Sequence, residues 1–172
     1  MSHEIKKILY ATDLSPNSAY ALRLALNAAS LYKAEIIILH VFDRPTIGYA
    51  PMLDIYIDGK QRQSLFNEQA EDIKDRIMKR LEKVYAKETK AHAAYEDIIS
   101  SIEVVEGYPA ETILNIADDF NCDMIIMGTH GKGILANTFL GSTAKRVLRR
   151  TRKPIFIIPL PKEELDITFQ DK

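Results

Sequence analysis

Met124-Ile125-Ile126-Met127-Gly128-Thr129-His130-Gly131, resumed after nine residues by Gly141-Ser142-Thr143, is the stretch on which the reading of this chain turns. The short apolar run Met124 to Met127 suits a buried strand, and the segment after Gly141 has helical spacing. Glycines at such a junction let the backbone approach a ligand closely, and amides at a helix start attract phosphate. With Gly at about 7% of average usage and Ser or Thr at roughly one in eight, the spacing G-x-x-G-x9-G-S arises by chance in about one chain in a hundred of this length. Spacing alone is suggestive. The strand before it and the helix after it carry the rest.

Outward from that stretch the same alternation recurs. Ile8 to Ala11 reads as a first strand, and Ser15 with Pro16 as a helix start, Ser at the N-cap and Pro at the first helical position. Leu22, Ala25, Leu26, Ala29 and Tyr32 then give one apolar stripe. Ile36 to Val41 is nearly continuous aliphatic sequence, a strand buried on both faces. From Gln61 to about Ala93 the chain is polar and rich in helix formers, with Leu65, Ile73, Ile77, Leu81 and Tyr85 inward and its charges solvated. Ile98 to Val105 is a third strand, and Gly107, Tyr108 and Pro109 turn it into a helix carrying Ile113, Leu114, Ile116, Ala117 and Phe120. Leu140 to Arg150 contains the helix after the glycines, with Val147 and Leu148 inward. Ile155 to Ile158 is a fifth strand, and the flanking Pro154 and Pro159 place it at a sheet edge.

Strands alternating with helices predict an α/β fold around a parallel sheet with right-handed crossovers. Ligands in such sheets bind beyond the C-terminal ends of the strands, where the strand order reverses. Those ends supply Ala11-Thr12-Asp13, Val41-Phe42-Asp43 and Gly128-Thr129-His130-Gly131. The stretch from Asp43 to Gly59 holds Pro45, Gly48, Pro51 and Gly59 and has no sustained period. It reads equally as a functional loop or as a variable surface excursion. Residues 1–160 are expected to form one domain, with 161–172 a polar tail.

Composition narrows the function classes. The chain has 172 residues, and 23 basic against 24 acidic ones leave a net charge of −1, so no nucleic-acid footprint appears. The basic group Arg146, Arg149, Arg150, Arg152 and Lys153 reads as charge at a helix end, where it meets exposed carbonyls. No apolar run has the length of a membrane span, and the N-terminus shows no signal-peptide core. The single Cys122 forms no internal disulfide, which fits a cytoplasmic setting, and its position just before Met124 reads as a small buried hydrophobe.

Several side chains carry two readings. Asp13 suits a ribose hydroxyl or a metal ion, and equally an Asx-turn ahead of Ser15. Ser142 suits a phosphate donor or the cap of the last helix, with Thr143 the next donor along. Lys132 and His130 lie in the glycine loop, within reach of phosphate or simply in solvent, and His40 on its strand reads as a satisfied core histidine. His3 and His92 offer no paired metal spacing. No Walker A loop and no G-x-G-x-x-G are present.

Together the G-x-x-G-x9-G-S segment, the early Ala11-Thr12-Asp13 with Ser15-Pro16 beyond it, and the strand ending His40-Val41 resemble the universal stress protein family over nearly all of residues 1–159. The resemblance implies a three-layer, adenine nucleotide alpha hydrolase-like sandwich. Its five-stranded parallel sheet has the order 3-2-1-4-5, with helices on both faces and a crevice between strands one and four. In the nucleotide-binding branch that crevice holds ATP, or AMP or ADP, with Mg or Mn. The resemblance puts Asp13 near ribose or metal, and the Val41 backbone against adenine beside Ala11, Thr12 and His40. By the same likeness Met127 and Gly128 lie along the nucleotide, with Gly131, Gly141, Ser142 and Thr143 on the phosphates and His130 and Lys132 beside them. It implies a nucleotide-dependent switch in stress response, with slow ATP hydrolysis or phosphotransfer as the alternative. Phosphoryl transfer needs metal ligands, an orienting base and cationic stabilisation. The sequence offers Asp13, Lys132 and no convincing base, so no catalytic residue is assigned. A homodimer through the Ile155–Ile158 edge is also expected, since pairing with a second copy covers an apolar edge.

Overall fold

The computed structural model describes residues 4–42, 59–91, 95, 97–129 and 140–159. The elements run β1 (Lys7–Thr12), α1 (Pro16–Tyr32), β2 (Glu35–Phe42), α2 (Gly59–Ala91), β3 (Ile99–Glu106), α3 (Pro109–Asp119), β4 (Met124–Gly128), α4 (Ser142–Arg150) and β5 (Ile155–Ile158). The strands form one parallel sheet in the order β3-β2-β1-β4-β5, with Ile8 opposite both Ile36 and Met124. The order 3-2-1-4-5 is the expected one, and β5 lies at the edge.

Period-two alternation along the strands sorts the core into two layers. Ile8, Tyr10, Ile36, Ile38, Met124 and Ile126 face one way, onto Leu22, Ala25 and Leu26 of α1 and Ile77, Leu81 and Val84 of α2. Leu9, Ala11, Ile37, Leu39, Ile125 and Met127 face the other, onto Ala110, Ile113 and Ala117 of α3 and Ala144 and Val147 of α4. A sheet apolar on both faces needs a helical layer on each, and α1 with α2 and α3 with α4 supply them. Each fully buried aliphatic side chain stabilises the fold by about 1.5–3 kcal/mol.

Local chemistry sets the helix ends. Ser15 caps α1, its hydroxyl accepting from the Ser18 amide at 3.2 Å, and Pro16 follows at the first helical position. Lys33 closes α1 in the left-handed region (φ 53°), and the Ala34 amide donates back to the Ala29 carbonyl.

Three expectations change. Leu148 is 44% exposed while Val147 is fully buried, because adjacent helical positions lie about 100° apart and cannot both face the sheet. On α2 the inward position is Val84 rather than Tyr85 for the same reason, and Glu88 one turn later is buried too. Gly59 belongs to α2, not to the loop before it, and the expectation for residues 43–58 lies outside the described residues. So do those for His3, His92 and the tail.

Candidate functional site

β1 and β4 are neighbours in the sheet, yet their crossovers depart to opposite faces, α1 with the first layer and α4 with the second. Beyond their C-terminal ends the helices diverge and leave a crevice of about 520 Å³. Ala11, Thr12, Asp13, His40, Val41, Met127, Gly128, Gly141, Ser142 and Thr143, all singled out in the sequence, line it. His130, Gly131 and Lys132 lie outside the described residues. Sequence reasoning missed Ser18, Leu39, Pro109, Ile113 and Ala144 on the same walls, while Phe42 and Thr129 lie at the strand ends it had singled out. Pro109 was open to discovery, since it starts the helix that covers this face of the sheet.

The walls divide by polarity. Leu39, Val41 and Phe42 from β2 with Pro109 and Ile113 from α3 make an apolar end. Thr12, Asp13, Ser18, Thr129, Ser142 and Thr143 make a polar one.

The β1–α1 loop is held by its own hydroxyls. The Leu14 amide donates to Thr12 Oγ1 at 3.1 Å, Thr12 Oγ1 donates to Ser18 Oγ at 3.0 Å, and Ser18 Oγ donates to the Ser15 carbonyl at 2.8 Å. Leu14 adopts φ 62°, a left-handed conformation worth about 1–3 kcal/mol of strain, and its buried side chain helps keep it there. Asp13 Oδ1 accepts from the Ser15 amide at 3.1 Å, which is the Asx-turn, while Asp13 also lines the crevice. His40 is buried, with Nδ1 2.8 Å from the Thr12 carbonyl. A carbonyl only accepts, so Nδ1 carries the hydrogen there. Beneath the loop the Tyr10 hydroxyl donates to the Ser18 carbonyl, and burial pushes its phenol well above the ordinary tyrosine range.

The two helix starts at the crevice differ. At α1 the Ser15 side chain occupies the cap. At α4 the N-cap is Gly141 and no side-chain cap hydrogen bond is made. Ser142 is the first residue of the helix, so its expected capping role is corrected. Gly141 is anchored through its own amide to the Thr129 carbonyl at 2.7 Å. The first amides of α4 carry partial positive charge and are not taken by a cap side chain, which favours an anion at that end.

Basic residues at the end of α4 and just beyond it pair across the surface: Arg150 Nη1 lies 2.7 Å from Glu111 Oε1, and Lys153 Nζ lies 3.2 Å from Asp118 Oδ1. The Glu111 carboxyl is held below its usual range, first by its own backbone amide and then by Arg150. Among the described residues no group of three or more His, Cys, Asp or Glu side chains is placed to hold a metal ion. Asp13, the one carboxylate on the crevice wall among the described residues, would hold a cation only together with ligand oxygens.

This architecture defines a doubly wound α/β protein with a crevice at the switch point of its sheet. The chain belongs to the universal stress protein family, whose sequence model matches residues 4–159. It is 31% identical over 162 residues to universal stress protein MJ0577 of Methanocaldococcus jannaschii, covering 92% of this chain and 97% of that one. The solved structure of MJ0577 superposes with a TM-score of 0.68 at 27% identity, over 93% of this chain and 99% of its own. UspA of Lactobacillus plantarum shares the fold at a TM-score of 0.65 and 21% identity, over 90% of this chain and 98% of its own. A universal stress protein solved in complex with cAMP does so at 0.56 and 22%, over 92% and 99%. No helix among the described residues is long and apolar enough to cross a membrane.

Proposed function

We propose that this chain is an adenine-nucleotide-binding regulatory protein that takes ATP, or AMP or ADP, in the crevice between β1 and β4. The division of the crevice into an apolar end at β2 and α3 and a polar end at the start of α4 carries this reading. A nucleotide has the same division. Its base suits Val41, Pro109 and Ile113, its ribose suits the Asp13 carboxylate, and its phosphates suit the uncapped amides from Ser142 with the Ser142 and Thr143 hydroxyls. Gly131, Lys132 and His130 complete the phosphate side by sequence, and where Mg or Mn accompanies the nucleotide, Asp13 is the residue that would help hold it. The volume of about 520 Å³ falls in the range of small-molecule sites.

Occupancy, rather than turnover, is the signal in this reading. Phosphoryl transfer asks for a base and cationic stabilisation beyond backbone amides. Titration calorimetry with ATP and Mg²⁺ tests the proposal: one nucleotide per chain is expected, and no adenine-nucleotide affinity sinks it. Single-turnover hydrolysis separates switch from hydrolase, since turnover abolished by Asp13→Ala with nucleotide still bound would make the protein an enzyme.

The same reading includes a homodimer through β5. Its described ladder runs to β4 alone, and Phe156 is 44% exposed. Pairing with a second copy across a two-fold axis would cover that edge. Light scattering at micromolar concentration should give twice the chain mass, and a monomer would refute it.

A further inference from the structure

We propose a second ligand site at the opposite end of the sheet from the crevice, a cavity between α3 and the end of α4 that takes a phosphate group, free or borne by a small molecule. The cavity holds about 330 Å³. Arg150, Arg152 and Lys153 line it, and Asp118 is the one acid on its wall among the described residues. Leu114 and Ala117 of α3 and Ile125, the second residue of β4, close its base. The crevice lies beyond Gly128 at the other end of that strand, and the two share no lining residue.

The segment that carries the three cations is fixed at both ends. The Thr151 amide donates to the Val147 carbonyl at 2.8 Å, and the Lys153 amide donates to Thr151 Oγ1 at 3.0 Å. The Pro154 carbonyl then accepts from the Ile125 amide at 2.9 Å, which ties the segment to β4. The charge on it is only partly answered. Arg150 gives Nη1 to Glu111, Lys153 meets Asp118, and Arg152 has no carboxylate partner among the described residues. The Asp118 side chain is 76% exposed, and a surface pair of that kind contributes little. A phosphate dianion carries twice the charge of that carboxylate and displaces it. Carbonyls at the end of α4 attract cations. That attraction needs no concavity, whereas here three cations line one cavity. Two guanidinium forks and an ammonium form a donor set suited to phosphate, the forks taking its oxygens in pairs and the ammonium acting as a point charge.

Amide NMR titration of the full chain with inorganic phosphate and with glycerol 2-phosphate tests this site, because the two ends of α4 report separately. Saturable shifts are expected at Thr151, Arg152 and Lys153. Equal affinity for the two probes would assign the free ion, and tighter binding of glycerol 2-phosphate would assign a phosphate ester. Arg152 is exposed and leaves no acid stranded, so Arg152→Ala should keep the fold and weaken binding roughly tenfold. Arg149→Ala, at a basic residue of the same helix that does not line the cavity, should change nothing. Shifts confined to Ser142 and Thr143 would place the phosphate in the crevice and overturn the second site. So would shifts that never saturate, or wild-type affinity in Arg152→Ala.

Discussion

Arg23 of α1 holds Glu88 of α2 in a two-pronged grip, Nε to Oε2 at 2.9 Å and Nη2 to Oε1 at 3.1 Å. The Glu88 side chain is 3% exposed and the Arg23 side chain 30%. A carboxylate out of water is tolerable only with such a partner. Arg23→Ala should therefore destabilise the fold by about 3–5 kcal/mol, measured by urea denaturation. Arg23→Met with Glu88→Leu should cost much less than the single change, because no charge is then stranded. Equal losses would mean that the pair contributes only packing.

The bare start of α4 makes a second expectation sharp. Gly141 has φ −62° and ψ 158°, extended values open to any residue. Gly141→Asp supplies a favoured cap and a negative charge at the same point. Thermal stability should hold or rise by a few tenths of a kcal/mol, while ATP affinity in calorimetry falls at least tenfold. Binding that survives unchanged would place the phosphates elsewhere.

Gly107 is held to its identity by space. Gly107→Ala would push a methyl group against Thr112 Oγ1, with overpacking of about 1–3 kcal/mol. Denaturation should show that loss, and adding Thr112→Ala should recover part of it. A neutral Gly107→Ala would show that the turn relaxes freely.

Alkaline pH acts on two buried acids. Burial raises the Cys122 thiol from an ordinary 9.0 to about 11, and Tyr10 is raised in the same sense. Below their unfolded values both groups are neutral in either state, and their contribution to stability is fully present. As pH climbs above 9 the unfolded chain sheds the Cys122 proton first, and stability is lost through pH 11, with Tyr10 adding to the fall from pH 10 upward. Urea midpoints measured from pH 8 to 11 should decline, and Cys122→Ala should make the decline shallower. Thiol reagents at pH 8 should label Cys122 in the unfolded chain far faster than in the native one.

Lys33 offers a stabilising change. Its φ of 53° at the end of α1 costs a residue with a Cβ about 1–2 kcal/mol that glycine avoids. After the larger unfolded-state freedom of glycine is set against this, Lys33→Gly should gain about 0.5–1 kcal/mol, seen as a higher melting temperature.

The fold was legible wherever one periodicity dominated. Met124 to Met127, Ile36 to Val41 and the Ser15-Pro16 helix start announce themselves locally, and β5 was placed at the edge by its two prolines. The strand order was not legible in the residues, because nothing local records which strand lies beside β1. The resemblance supplied it. The neighbouring pairs Tyr85/Val84 and Leu148/Val147 went astray because a helix stripe is about two residues wide at its margins, and only packing decides which of two apolar neighbours turns inward. Glu88 was missed because its partner Arg23 is 65 positions away. On the site side the strand ends were visible as sequence, whereas Ile113 and Ser18 enter the crevice from helix faces that any α/β chain would have.

The parting of α1 and α4 over a continuous β1–β4 ladder has one more consequence. Ala11 remains paired with Met127 beneath the opening, so the β1–β4 ladder runs unbroken from Ile8 up to the floor of the hollow. Its location is a property of the route the chain takes, and its contents are a property of a few side chains at the rim. Such a vessel can be refitted for a different guest residue by residue while the frame that holds it stays whole.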